Sequence, residues 1–163
     1  MRKLNRIILV VILVIVAIQF YRPARTNPPV DPQNTIQSQT HIPLEVSRVL
    51  YRSCGDCHSN QTLWPWYSEV APVSWLVVSD VDEGRGKVNL SDWTPQGGNQ
   101  SEKANRLLGK ICEEVKSGDM PEWYYTPLHP NARLSPAEIQ LICNWTQSEQ
   151  QGSGTAPKKD SDK

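Results

Sequence analysis

The residues of this chain whose types and spacing indicate chemistry are Cys54, Cys57 and His58, in the sequence Cys54-Gly-Asp-Cys-His58. Two thiols three residues apart can add to the two vinyl groups of one haem, and the histidine that follows can ligate its iron. C-x-x-C-H is the attachment pattern of c-type haem. The sequence therefore predicts one covalently bound haem c, with Cys54 and Cys57 as thioether sites and His58 as the proximal iron ligand.

Two other chemistries use paired cysteines, namely a thiol–disulfide pair and half of a zinc site. A redox dithiol is expected beside a β-α-β pattern, which the sequence lacks. A four-ligand zinc site usually has a second close pair of ligands, whereas Cys112 and Cys143 stand 31 residues apart. A haem-free dithiol or zinc protein is therefore the less favoured interpretation of the motif.

A second axial ligand decides what such a haem can do, and a thioether or an imidazole is usual for electron transfer. Met120 is the only methionine besides Met1 and precedes Pro121, which favours an extended loop. We predict Met120 as the distal iron ligand. His129 and His41 are alternative ligands, and an open distal position is the third possibility.

Aromatic residues follow the motif in the sequence Trp64-Pro-Trp-Tyr67. The proline disfavours a continuous helix here. We therefore predict a loop in which Trp64, Trp66 and Tyr67 pack against the haem. The alternative is that these rings belong to an ordinary hydrophobic core.

These groups must be positioned by helices. Apolar periodicity, together with helix start and stop signals, predicts four helices. Their predicted positions are residues 46–54, 72–84, 101–117 and 135–147. Between the second and third helices, the glycines and proline of residues 89–100 indicate a surface loop. The expected fold is therefore mostly α, a small domain of about four helices with long loops.

The N-terminus has the pattern of an export signal, with three basic residues before an uninterrupted apolar run at residues 7–18. No small-x-small cleavage site follows, and residues 20–22 form an aromatic-then-basic border typical of a membrane interface. We predict an uncleaved signal anchor with a transmembrane helix over residues 1–22, and a cleaved signal peptide is the alternative. The domain would then face the periplasm or the cell exterior, at the bacterial cytoplasmic (inner) membrane.

The rest of the chain divides by composition. Residues 23–39 are rich in Pro, Asn, Gln and Thr and predict a flexible linker, residues 40–148 form the domain, and residues 149–163 predict a disordered tail. In an exported domain, Cys112 and Cys143 are expected to form a disulfide.

Charge indicates what kind of partner the domain meets. The whole chain has a formal net charge of zero, so nothing indicates nucleic-acid binding. Residues 44–147 contain 13 acidic and 9 basic side chains, a net charge of −4. This balance predicts a redox partner with a basic surface.

Several short sequences carry a resemblance to a known family. They are Cys54-Gly-Asp-Cys-His58, Trp64-Pro-Trp-Tyr67, Ala71-Pro-Val-Ser-Trp75, Asp119-Met-Pro121 with Trp123-Tyr-Tyr125, and Leu128-His-Pro130. On these pieces residues 51–145 resemble the bacterial haem-binding domain family of single-haem c-type cytochromes, which have an N-terminal membrane segment. The resemblance implies thioether bonds at Cys54 and Cys57, His58 as proximal ligand, and no particular substrate. The order of elements is also similar to small mono-haem cytochromes c, so we expect a cytochrome c-like domain.

These observations favour an electron carrier over an enzyme. The alternative is a haem-based sensor or peroxidase-like protein, which needs an open distal site. The sequence contains no nucleophile elbow and no phosphate-binding loop, which disfavours acyl and phosphoryl transfer.

Overall fold

A computed structural model describes residues 2–94 and 100–153. Within this part of the chain there are six α-helices, two short 3-10 turns and no strand. The helices are α1 (Arg2–Ile18), α2 (Ile36–Gln39), α3 (Leu44–His58), α4 (Val73–Lys87), α5 (Gln100–Ser117) and α6 (Pro136–Ser153), and the 3-10 turns are Trp66–Glu69 and Pro130–Ala132. The prediction of a mostly α domain is confirmed.

The hydrophobic core lies where α3, α5 and α6 pack together. One face of α3 is buried because its apolar residues recur at helical spacing, and Leu50 on this face is 1 % exposed. Ile142 of α6 and Leu108 of α5 meet this face in the same cluster. The core therefore fixes α3 one turn before Cys54.

Helix α4 continues through Gly84 and Gly86 to Lys87, past the helix end that was predicted at these two glycines. Gly84 is buried where α4 meets the end of α3, and a Cβ built on it would lie 2.6 Å from the Cys57 carbonyl oxygen. The glycine is present because the two helices approach too closely here for a side chain. Sequence signals cannot distinguish this role from a helix stop.

The segment after α4 is not wholly a surface loop, because Leu90 and Trp93 are 2 % and 4 % exposed and belong to the core. The Leu90 N–H donates to the His58 carbonyl at 2.7 Å, and its own carbonyl accepts from the Ile36 N–H at 2.9 Å. The segment therefore packs directly behind the end of α3. The rest of the predicted loop, residues 95–99, lies outside the described residues.

The segment predicted as a flexible linker is bonded to the domain over much of its length. Arg25 Nη1 donates to the Ser68 carbonyl at 3.0 Å, and Asn27 Nδ2 donates to the Thr62 carbonyl at 2.9 Å. Ile36 is fully buried in the core. Residues 25–36 therefore contribute to the domain surface and core, which polar composition alone does not indicate.

At the other end of the chain, α6 runs to Ser153, past the predicted start of the disordered tail. Gln150 Nε2 donates to the Asn105 carbonyl of α5 at 2.7 Å, which holds this last part of the helix. The remaining tail, residues 154–163, lies outside the described residues.

Helix α1 has no buried residue and is apolar from Ile7 onward, and the chain just after it is bonded to the domain. The Gln19 side chain exchanges two hydrogen bonds of 3.0 Å with the Ala71 backbone, and Trp75 Nε1 donates to the Tyr21 carbonyl at 3.0 Å. Across residues 2–94 and 100–153, no helix has both the length and the apolar content needed to cross a membrane. The predicted transmembrane helix is therefore unsupported.

Candidate cofactor site

Helix α3 carries the whole C-x-x-C-H motif in its last two turns and ends at His58. Cys54 and Cys57 are three residues apart and therefore lie on the same side of the helix. Both are partly exposed, and neither is in a disulfide. The helix thus presents two free thiols side by side, with the histidine directly after the second.

The His58 ring is oriented by a backbone carbonyl. Its Nδ1–H donates to the Val88 carbonyl at 3.0 Å, which leaves Nε2 with its lone pair. A ligating histidine is typically held in this way by a hydrogen bond from its other nitrogen. Burial lowers the pKa of His58, so the ring is neutral, which is the form that binds a metal.

Burial raises the pKa of both Cys54 and Cys57 to about 12. For Cys57, the nearby carboxylates of Asp80 and Asp56 add to this effect. The thiols are therefore protonated at neutral pH, whereas disulfide exchange needs the thiolate. Within the described ranges no group of three or more His, Cys, Asp or Glu is arranged to hold a metal ion.

Met120 lies in the loop that follows α5. Gly118 ends that helix with φ of 82°, and the Met120 N–H then donates to the Glu114 carbonyl at 3.1 Å. The charge of Glu114 reaches His58, where it opposes the larger effect of burial on the pKa, and the charge of Glu122 reaches Cys57. Tyr125, five residues after Met120, donates to Asp56 inside the motif at 2.7 Å, so this loop is bonded to the motif.

The two alternative histidine ligands have other contacts. The His129 ring stacks on Tyr125 with centroids 4.1 Å apart, and its Nε2 is hydrogen-bonded to the Tyr67 hydroxyl at 2.5 Å. The His41 side chain is fully exposed, with Nδ1 3.9 Å from a carboxylate oxygen of Glu149. These contacts use Nε2 of His129 and leave the His41 ring in solvent.

The three aromatic residues predicted to pack on a haem differ in their surroundings. Trp66 is 77 % exposed, while Trp64 and Tyr67 are partly buried. The Trp64 Nε1–H is buried and finds no acceptor in the part of the chain that the structure describes. A buried donor without an acceptor is costly, and a haem propionate is an acceptor that would satisfy it.

Large apolar side chains are exposed on the loops that border the motif. They are Leu63, Trp66, Trp123 and Leu128, each at least 64 % exposed. A flat apolar macrocycle buries surface of this kind favourably. Together with the oriented His58 ring and the Trp64 donor, these residues fit a haem.

Sequence reasoning missed the residues that join the loops to the motif. Asp56 lies between the two cysteines, and its Oδ2 accepts from the Tyr125 hydroxyl at 2.7 Å. Tyr125 in turn contacts His129, which reaches Tyr67. In the sequence these residues stand out only because they lie in the short sequences that resemble a known family. That resemblance does not predict that their side chains meet.

Acidic groups surround the second cysteine. Asp80 accepts from the Tyr124 hydroxyl at 3.3 Å, and burial raises the pKa of this carboxyl. Burial, followed by the charge of Asp80, also raises the pKa of Glu122. The side of the site formed by α4 and the Met120 loop is therefore acidic.

Cys112 and Cys143 form a disulfide that joins α5 to α6, with Cα atoms 4.8 Å apart. The bond lies in the hydrophobic core, and Met120 follows α5 within the loop that it closes. The predicted pair is therefore brought together in the structure, and Cys54 and Cys57 remain outside this bond.

Comparison with known proteins identifies one family. The model of the haem-binding domain family matches residues 13–148, which is most of the chain. No curated protein matches the chain, and no solved structure does. The match covers the motif, the loop that carries Met120, and helices α2 to α5 entirely. The chain belongs to the haem-binding domain family.

Proposed function

We propose that this protein holds one haem c covalently and transfers electrons. The observation that carries the proposal is the arrangement at the end of α3, where two free thiols share one face and the His58 ring is fixed by Val88 with Nε2 available. When bound, the haem supplies an iron that exchanges one electron between its ferrous and ferric states.

The chain's own residues have separate roles in this proposal. Cys54 and Cys57 fix the haem through thioether bonds, and His58 is the proximal ligand. Met120 is the distal ligand, and a thioether there raises the reduction potential compared with a second histidine. Trp64, Trp66 and Tyr67 exclude water from the haem and pack against it.

A distal methionine separates electron transfer from the alternative functions. A sensor or a peroxidase-like enzyme needs a distal position open to a small molecule. The hydrogen bond from the Tyr125 hydroxyl to Asp56, inside the motif, supports a position for the loop of Met120 near the iron. We therefore favour an electron carrier over an enzyme.

Partner and location follow from charge and cysteine chemistry. The acidic groups beside Cys57 support docking of a redox partner with a basic surface. The basic-then-apolar N-terminus and the disulfide of the core support export to an oxidising compartment. We propose that the domain works at the outer side of the bacterial cytoplasmic membrane, attached there through its N-terminal segment.

The first test is the visible spectrum of the full chain produced with a cytochrome c maturation system. The wild type should show a low-spin haem with the far-red band of methionine bound to iron(III). Met120→Ala should lose this band, and His41→Ala, a matched change at an exposed residue, should keep it. A high-spin wild type that binds carbon monoxide freely would contradict electron transfer and favour sensing or peroxide chemistry.

The covalent attachment has its own control within the chain. Replacing Cys54 and Cys57 together by serine should give a protein that loses its haem on denaturation. Replacing Cys112 and Cys143 together by serine should leave the haem attached. Loss of covalent haem from the second variant would show that the wrong pair has been assigned.

A further inference from the structure

The carboxylate of Asp56 is bonded through both of its oxygens. Oδ1 accepts from the Leu63 N–H at 3.1 Å, and Oδ2 accepts from the Tyr125 hydroxyl at 2.7 Å. The first bond closes the turn just after α3. The second reaches 69 residues along the chain to the loop that carries Met120. One carboxylate inside the C-x-x-C-H motif therefore contacts both flanking loops.

The contact continues beyond Tyr125. Its ring is parallel to the His129 ring within 8°, and the His129 Nε2 is hydrogen-bonded to the Tyr67 hydroxyl. We call these four residues, Asp56, Tyr67, Tyr125 and His129, the Tyr125 cluster. The cluster joins three segments that are far apart in sequence, namely the end of α3, the 3-10 turn at residues 66–69, and the loop at residues 119–130.

The hydrogen bonds of the cluster are partly buried, which makes them stronger than exposed ones. A phenol that donates to a carboxylate is a charge-assisted bond, and such bonds are roughly twice as strong as neutral ones. Burial, with the bond to Asp56 next, raises the pKa of Tyr125, so its hydroxyl keeps the proton that it donates.

The loop that carries Met120 is bonded to the rest of the domain on both sides of this residue. On one side the loop is held to the end of α5 by the bond from the Met120 N–H to the Glu114 carbonyl. On the other side it is held at Tyr125, five residues later. Asp56, which accepts the bond from Tyr125, is two residues from His58 in the same helix. The Asp56 carboxylate therefore links the helix end that carries His58 to the loop that carries Met120.

We propose that Asp56 and Tyr125 are positioning residues, which hold the loop at residues 119–130 so that the Met120 thioether reaches the iron opposite His58. Neither residue touches the iron, and both act through Met120. The inference rests on the proposed function, because it assumes that Met120 is the distal ligand. It adds a role for the second variable residue of the motif, which a sequence pattern treats as free.

Tyr124 offers a matched control in the same loop. Its hydroxyl also donates to a carboxylate, but to Asp80 of α4, at 3.3 Å. Tyr124→Phe and Tyr125→Phe each delete one hydroxyl from neighbouring residues. Only Tyr125→Phe breaks the contact with the motif.

The experiment uses the full chain with its haem attached and compares the wild type, Tyr125→Phe, Asp56→Asn and Tyr124→Phe. Urea is added, and the far-red methionine band is followed together with the helical circular dichroism. Tyr125→Phe and Asp56→Asn should increase the ratio of methionine-free to methionine-bound haem about tenfold at a given urea concentration, while the helices are still folded. Tyr124→Phe should leave this ratio near the wild-type value.

The outcomes separate the two proposals. A wild type without the band overturns the ligand role of Met120 and, with it, the positioning role. A wild type with the band, in which Tyr125→Phe behaves like Tyr124→Phe, overturns the positioning role alone. A band that disappears only together with the helical signal in every variant also overturns it, because a merely structural contact gives that result.

Discussion

The two ends of helix α3 are held in different ways. Its first turns pack into the core, where Leu50 and Ile142 are almost fully buried and a disulfide joins α5 to α6. Its last turns, with the motif, pack on α4 and on the segment with Leu90 at one side, and at the other side they are held by hydrogen bonds to loops. Large rings of these loops, such as Trp66 and Trp123, are 77 % and 80 % exposed. We call the two ends of α3 the core end and the motif end.

The difference follows from what each end must do. Apolar burial and a covalent cross-link stabilise the core end regardless of any ligand. The motif end has to accept a large flat cofactor, so its apolar surface cannot already be buried by the chain itself. Directional hydrogen bonds can hold its loops in place while that surface stays accessible. Stability and cofactor binding are therefore separated along one helix, and four changes test this.

The largest effect is expected at the core end. Replacing Cys112 and Cys143 together by serine should lower the free energy of unfolding by about 3 kcal/mol, since the bond closes a loop of roughly 30 residues. Urea unfolding followed by circular dichroism measures this. The haem spectrum without urea should not change. A lost methionine band in this variant under native conditions would show that the two ends are not separate.

The second change lies where α4 meets the motif. Gly84→Ala places a methyl group 2.6 Å from the Cys57 carbonyl and should lower the free energy of unfolding by about 1–3 kcal/mol. Gly86→Ala, two residues later in the same helix, meets no atom within 4 Å and should raise it by about 0.5–1 kcal/mol. Thermal unfolding should show a lower stability for Gly84→Ala and a higher stability for Gly86→Ala than for the wild type. Equal effects would contradict the close approach.

The third change concerns an exposed ring at the motif end. Trp66→Ser should alter the free energy of unfolding of chain made without haem by less than about 0.5 kcal/mol, because the ring is largely in water. With haem attached, the same substitution should cost more, because packing against the macrocycle is then lost. The shift of the urea midpoint caused by Trp66→Ser is measured with and without haem, and the difference between the two shifts measures the contact between Trp66 and the haem. An identical cost in both forms would remove Trp66 from the haem site.

The smallest effect belongs to a surface pair on α3 and α6. A hydrogen bond from Arg52 at 2.7 Å, with bonds from Ser135, lowers the pKa of Glu138 to about 2. This stabilises the fold above the ordinary carboxyl pKa, and the contribution is lost as pH falls through about 4.5 towards 2. Because the pair is partly exposed, it amounts to less than about 1 kcal/mol.

Glu138→Gln should therefore lower the urea midpoint near neutrality, by the equivalent of less than about 1 kcal/mol, and weaken its fall over that acidic pH range, so that mutant and wild type converge near pH 2. Neither the haem spectrum nor the methionine band should respond, because the pair joins α3 to α6 and, among the described residues, makes no bond to the loops that flank the motif. A mutant whose acid dependence matches that of the wild type would contradict the assigned pKa.

The sequence by itself determined the motif residues and the helical character of the chain. Cys54, Cys57 and His58 lie within five residues, so their spacing alone indicates a haem site. Periodic apolar residues predict the four helices of the domain that carry most of its core, with errors mainly at the helix ends. The family match with residues 13–148 agrees with the motif.

Only the tertiary structure decided what lies around the motif. Gly84, Leu90 and Trp93 looked like a helix stop and a loop, yet all three pack behind or beside the end of α3. Asp56 and Tyr125 are 69 residues apart, and no local pattern predicts that their side chains meet. The physical reason is that secondary structure is encoded by nearby residues, whereas contacts between distant segments depend on how the whole chain packs.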